Sequence, residues 1–213
     1  MLYSVRQIVS DTRVMLDHNA DERPLIRIDD PYTLTLDQLI ASKIETAARQ
    51  VLEEAPLHSL APGKPLRVSL AWVERPGCGM AVLPLPDDFL RLLHVRLSDW
   101  RRPARIITDT HPDYRWQASP FAGVRGNPDR PVAVVTQRPT GLVAELYSSA
   151  GGPGVTIEQA QYVAVPLIAN GHIEWPQLLH YDIVSRIALL TCRSLGTVTQ
   201  ADESQNYRRN NNI

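Results

Sequence analysis

Cysteine is scarce in this 213-residue chain: Cys78 and Cys192 are the only two. A disulfide framework and a cysteine-rich zinc site are therefore excluded. Residues 1–17 have little apolar continuity, because charged side chains interrupt every apolar run. This segment lacks the core of a signal peptide or a membrane span. We expect a protein without membrane association that is made in the cytosol and either stays there or is packed into a particle assembled there.

Lysine is scarce as well, since 20 of the 22 basic residues are arginine and only Lys43 and Lys64 are lysine. With a formal net charge of -1, no bulk polycation is available for unspecific binding of nucleic acid. An apolar content of 44% and a charged content of 21% are typical of a globular chain. Two interpretations of the arginine excess stay open: codon bias in a GC-rich genome, or guanidinium groups serving polar contacts between subunits.

Motifs that carry chemistry are also lacking. There is no G-x-S-x-G elbow, and the glycine-rich residues 148–155 lack the GK[ST] ending of a phosphate loop. The best metal-like pattern is Asp109, His111 and Asp113, which alternate in one loop and would need a further ligand from elsewhere. We expect no catalytic residue, no cofactor and no metal. A small metal-dependent enzyme that uses this loop is the alternative.

Helical patterns occur near both ends of the chain. Residues 4–17 have apolar groups at roughly helical spacing, which predicts a short helix. Thr35 begins a capping box, and the pattern behind it predicts a second helix to about Glu54. A third helix is predicted between Pro176, suited to a first turn, and Gly196, suited to a C-terminal cap. Its apolar residues spread over more than one face, so we expect cover on two sides.

The middle of the chain is rich in proline, with 12 of the 17 prolines between residues 56 and 139. Long helices do not tolerate this density of proline. Short apolar runs bounded by proline and glycine predict strands at 66–73, 79–85, 89–100, 104–109, 131–138, 141–149 and 162–169. Their spacing is typical of a mostly antiparallel sandwich or small barrel.

Together these patterns predict an α+β fold. A helical hairpin or bundle is formed by the N- and C-terminal segments, with a mostly antiparallel β-sandwich or barrel domain inserted between them. We expect residues 1–61 and 171–196 to form the helical body, 62–170 the inserted domain, and 197–213 a C-terminal tail.

Three stretches carry a family resemblance: LPLPDDFLRLLHVRLSDWRRP at 83–103, YRWQASPFAGVRGNPDRPVAVV at 114–135, and LVAELYSS at 142–149. They resemble structural proteins of tailed phages or prophages, specifically head-to-tail adaptor, or connector, subunits. The resemblance implies a virion protein, assembled in the host cytoplasm, that forms a homo-oligomeric ring, a dodecamer by family analogy. It also implies docking to the portal protein and to tail proteins, with genomic DNA passing through the ring, and it implies no catalytic residue.

Ring subunits bury large flanks against identical neighbours, and arginine and aromatic residues suit such flanks. We therefore predict contacts to neighbouring subunits at one group of arginine and aromatic side chains and along a docking arm in the tail. The first group is Trp100, Arg101, Arg102, Tyr114, Arg115 and Trp116, and the arm contains Tyr207, Arg208, Arg209 and Ile213. Two other uses stay open: nucleic-acid phosphates facing the arginines, or a sugar- or surface-binding sandwich with Trp72, Trp100 and Trp116 exposed on one face.

Overall fold

The computed structural model describes residues 1–16, 34–60, 62–73, 79–121, 123–149 and 154–195. These residues form two compact units: a helical unit from the described parts of 1–59 and 166–195, and a β unit from the described parts of 60–165. The predicted α+β class, with helices contributed by both chain ends and mostly antiparallel sheets in the middle, is confirmed. None of the described helices combines the length and the apolarity needed to cross a membrane.

The elements in chain order are β1 (Leu2–Ser4), α1 (Val5–Met15), α2 (Leu36–Glu54), β2 (Lys64–Pro65), β3 (Ala71–Val73), β4 (Gly79–Pro84), β5 (Phe89–Leu97), β6 (Arg105–Thr108), β7 (Val132–Arg138), β8 (Gly141–Ser149), β9 (Ile157–Ala164), β10 (His172–Glu174) and α3 (His180–Ser194). Short 3₁₀ helices precede β2, follow β6 and precede α3.

Side chains cap the first two helices, and the sequence predicts the cap of the second. Ser4 accepts a hydrogen bond from the Gln7 backbone N–H at the start of α1. At α2, the Thr35 hydroxyl accepts from the Gln38 backbone N–H, and the Gln38 side chain accepts from the Thr35 backbone N–H. The capping box is confirmed, and α2 ends at Glu54 as expected.

The third helix packs against both α1 and α2 and buries Ile183, Val184 and Ile187. Its apolar pattern is therefore covered on two sides within the same chain. The helix begins later than predicted, because Pro176 precedes a 3₁₀ turn at Gln177–Leu179. Gly196, the predicted cap, lies outside the described residues.

An aromatic stack joins the two chain ends in the helical unit. The Tyr3 ring stacks on the rings of both Trp175 and His180, with centroid distances of 5.2 and 4.4 Å, and the Trp175 and His180 centroids are 6.1 Å apart. His180 Nδ1 accepts from the Trp175 indole N–H at 3.4 Å, and its Nε2 lies 3.1 Å from Asp11 Oδ2. These contacts explain why β1 and β10, which the sequence patterns did not predict, pair as antiparallel strands.

The β unit contains two sheets. The strand orders are β2-β9-β5 and β3-β4-β8-β7-β6, and every neighbouring pair is antiparallel except β6 with β7. Buried side chains of both sheets, among them Leu83, Leu146, Leu92 and Val95, form one shared core, as in a sandwich. A second buried cluster lies on the other face of the larger sheet, around Tyr147.

The last predicted strand of this unit, at 162–169, is misplaced. The observed β9 is Ile157–Ala164, and it alternates buried Ala160 and Tyr162 with exposed Gln159 and Gln161. The start of the strand was not predicted because its exposed polar side chains do not form an apolar run. Proline lacks a backbone N–H, so Pro166 cannot continue the ladder that the sequence pattern extended to residue 169.

Candidate functional site

A long connection in the β unit carries the candidate site. Because β6 and β7 run parallel, a tight turn cannot join them, and residues 109–131 cross from the end of one strand to the start of the other. This crossover contains a 3₁₀ helix, Pro112–Ala118, whose first turn is capped by His111: the imidazole Nδ1 accepts from the Asp113 backbone N–H at 3.1 Å.

A buried glutamine fixes the shape of the crossover. The Gln117 amide nitrogen donates to the Asp113 carbonyl at 3.0 Å, and its oxygen accepts from the Gly126 backbone N–H at 2.9 Å. A buried polar side chain with both ends bonded ties two parts of the loop together. Sequence patterns did not single out Gln117, since nothing distinguishes it from a solvated loop residue.

The crossover, held in shape by Gln117, exposes apolar side chains to solvent. Trp116 is 46% exposed, and Phe121 and Val124 are more exposed still. The Arg115 guanidinium carbon lies 4.7 Å from the centroid of the Trp116 ring, a cation–π contact. Aromatic and arginine side chains together are typical of protein interfaces.

Beside these side chains is a groove of about 500 Å³. Four arginines line it, Arg102, Arg105, Arg125 and Arg130, and Asp113 is the one acidic residue among its described lining residues. Arg105 Nη1 donates to Asp113 Oδ2 at 2.9 Å, which neutralises one of the four charges. The groove therefore keeps an excess of positive charge. We call this groove and the exposed Trp116, Phe121 and Val124 the crossover surface.

Local turn geometry places one of the groove arginines. The Asn127 side-chain oxygen accepts from the backbone N–H groups of Asp129 and Arg130, at 3.0 and 2.9 Å. Asparagine commonly closes a tight turn in this way. Among the described residues, no carboxylate forms an ion pair with Arg130, so its charge is available to a partner.

The structure distributes the predicted contact residues unevenly. Arg101 is exposed and pairs with Asp129 at 2.8 Å, whereas Tyr114 is half-buried against the second cluster. Arg102 donates to the Asp129 carbonyl, and Arg115 and Trp116 are exposed. The assignment of Trp100 as a contact is corrected: it is 2% exposed, because the chain turns after β5 and buries the indole in the shared core. Tyr207, Arg208, Arg209 and Ile213 lie outside the described residues.

The side chains of Asp109, His111 and Asp113, the alternative metal site, do not point to a common centre. His111 and Asp113 both face the Arg105 guanidinium, whereas Asp109 Oδ2 accepts from the Thr136 hydroxyl at 2.9 Å. Within the described ranges, no three His, Cys, Asp or Glu side chains are placed to hold a metal ion. Cys78 lies outside those ranges, and Cys192 is half-buried on α3.

The proposed row of exposed tryptophans is absent from the described part of the β unit. Trp100 is in the core and Trp72 packs against the same core, so only Trp116 of the three is exposed. The three side chains therefore do not form one sugar-binding face.

The helical unit has an exposed apolar site of its own at the beginning of α3. Leu178 is 76% exposed and Tyr181 is 71% exposed, and Asp182 beside them is exposed as well. No described residue forms an ion pair with Asp182. Leu178 lies in the 3₁₀ turn before α3, and Tyr181 and Asp182 lie in the first turn of α3. We call these three residues, at the N-terminal end of the helix, the α3 end. The sequence pattern does not separate Leu178 from the apolar residues between Pro176 and Gly196, all of which were expected to be covered.

The chain matches no protein-family model and no curated protein.

Proposed function

We propose that the protein is a structural subunit of a tailed-phage head-to-tail connector ring, located in the virion. In this role it docks beneath the portal and joins the capsid vertex to the tail around the DNA exit channel. The observation that carries the proposal is the crossover surface, where exposed Trp116, Phe121 and Val124 border a groove lined by arginines.

Two features support a role in assembly rather than catalysis. The crossover surface is held in one shape by Gln117, and preformed surfaces lose little conformational entropy when they bind. The architecture also agrees with the predicted layout, in which both chain ends contribute helices and a β domain is inserted between them in the sequence.

The test is the native mass of the purified protein by light scattering over a range of concentration and salt, with negative-stain images of the eluted particles. Closed rings with a central opening are expected. Trp116→Ala should reduce assembly, and Trp72→Phe, in a packed position of the same unit, is the matched control. A protein that remains a monomer throughout, or forms a compact dimer, contradicts the proposal.

A further inference from the structure

The two units of the chain carry opposite charge. Among the described residues, the helical unit has 7 acidic and 6 basic residues, a formal charge of -1, whereas the β unit has 8 acidic and 11 basic residues, a formal charge of +3. The formal net charge of -1 hides this difference. Unlike charge favours contact between the β unit of one copy and the helical unit of another, and it disfavours contact between like units.

Each unit also has an exposed apolar site that carries the same sign of charge as the unit. The α3 end combines Leu178 and Tyr181 with the carboxylate of Asp182. The crossover surface combines Trp116 and Phe121 with the groove arginines. The two sites are therefore complementary both in their apolar side chains and in their charge.

We propose that the α3 end of one copy binds the crossover surface of the next copy, with Asp182 facing Arg130 and Tyr181 lying beside Trp116. This inference rests on the proposed function, since a ring requires each copy to bind its neighbour. The contact joins two different surfaces, so it is heterologous, and its repetition either closes a ring or extends a filament.

A second copy suits the groove better than a nucleic-acid strand. The apolar border of Trp116, Phe121 and Val124 requires an apolar partner, which the α3 end supplies beside a single carboxylate. The groove holds several side chains, in keeping with the Leu178, Tyr181 and Asp182 group rather than with a long polyanion. Tyr181 adds an aromatic face for the groove guanidinium groups.

A charge exchange tests the contact. Arg130→Glu alters only the groove, and Asp182→Arg alters only the α3 end, so each variant alone places like charges opposite each other. We expect each to weaken association at least tenfold, as measured by sedimentation velocity at fixed salt. The double variant R130E/D182R exchanges the charges within one chain and should regain most of the association. Arg67→Glu, at an exposed β-unit arginine outside the groove, is the matched control.

A mixture of the two single variants provides a second readout. The altered groove of one variant fits the altered α3 end of the other, and the unaltered surfaces fit as well, so the mixture should assemble although neither component does. Circular dichroism of each variant separates lost folding from lost contact.

The possible failures are distinguishable. If the wild type assembles and each single variant assembles equally well, this contact is wrong, but the connector proposal is not contradicted. A wild type that never assembles contradicts both. Assembly that requires added DNA and disappears after nuclease treatment assigns the groove to phosphate groups and overturns a second copy as its occupant.

Discussion

The helical unit and the β unit are stabilised by different means, and the difference explains what each leaves exposed. The helical unit relies on capped helices, one buried face per helix, and the stack of Tyr3 with Trp175 and His180. Leu178 and Tyr181 remain exposed in it. The β unit buries side chains on both faces of its larger sheet, and its exposed apolar residues lie on a connection between strands.

The comparison teaches that average properties of a chain conceal its functional asymmetry. The described residues of the helical unit are nearly neutral, with a formal charge of -1, whereas those of the β unit are basic, with a formal charge of +3. In the assembly that we propose, opposite charges would make the contacting surfaces of the two units complementary. The following predictions test how each unit is held together, from the largest expected effect to the smallest.

The shared core should dominate the stability of the β unit. Trp100→Ala removes a large, fully buried side chain from the core between the two sheets and should lower the free energy of unfolding by about 3–5 kcal/mol. Trp116→Ala, at a half-exposed tryptophan, should change it by less than about 1 kcal/mol. Hydrogen exchange of β5 and β9 amides measures this unit separately. Equal effects of the two substitutions would mean that Trp100 does not fill the core.

A buried carboxylate should make the next largest contribution to the stability of the β unit. Glu145 on β8 is buried and accepts hydrogen bonds from Arg138 Nε at 2.9 Å and from the Tyr147 hydroxyl at 2.6 Å. Glu145→Gln leaves the Arg138 charge without its partner and should cost about 2 kcal/mol of unfolding free energy. The pair of half-buried Arg96 and exposed Glu158 supplies the control, since Glu158→Gln should cost less than about 1 kcal/mol. The loss in each variant is measured by urea unfolding, with hydrogen exchange of the β8 amides as the local probe.

The helical unit should respond to loss of a cap. Thr35→Ala removes the acceptor for the Gln38 backbone N–H and breaks the capping box, so α2 should lose about 1 kcal/mol. Ser42→Ala, at an exposed position within the same helix, should be neutral or slightly stabilising because alanine favours helix. The readout is hydrogen exchange of α2 amides. Identical protection in the two variants would contradict a role for the cap.

Helix positions followed from the sequence wherever local rules decide them. The Thr35 and Gln38 pair fixed the start of α2, and apolar periodicity fixed its end, since capping and periodicity involve neighbours in the chain. The strands β7 and β8 followed in the same way from the apolar runs at 131–138 and 141–149. They pair as a hairpin in which Gly141 adopts a φ of 122°, which suits glycine.

Features that depend on contacts between residues far apart in the sequence were not predicted. The strand pair β1 and β10 joins residues from opposite ends of the chain, although the Asn170-Gly171 turn before β10 was a local signal that could have indicated it. The parallel pairing of β6 with β7, which creates the crossover, has no local signature. Trp100 was predicted at an interface because arginine and aromatic residues suit subunit contacts and two arginines follow it, whereas its burial depends on two sheets that meet around it.

The smallest predicted effect concerns pH and a strand junction in the β unit. Asp88, just before β5, accepts hydrogen bonds from Lys64 Nζ on β2 at 3.1 Å and from the Tyr162 hydroxyl on β9 at 2.9 Å. Partial desolvation raises the pKa of Asp88, but the hydrogen bonds from Lys64 and Tyr162 outweigh it and hold the pKa below its ordinary value. Asp88 therefore stabilises the folded state when it is ionised.

The sign of the pH dependence follows from that lowered pKa. The contribution of Asp88 is fully present above the unfolded-state pKa of about 3.9 and is lost as the pH falls through the lower folded-state pKa. Because the side chain is 37% exposed, we expect Asp88→Asn to cost less than about 1 kcal/mol near neutral pH. The difference from the wild type should shrink below about pH 4, as measured by urea unfolding across pH. Asp87→Asn, at the exposed neighbour, should show a smaller effect at neutral pH. A wild-type advantage that grows toward low pH would mean that Lys64 and Tyr162 do not stabilise the ionised carboxylate.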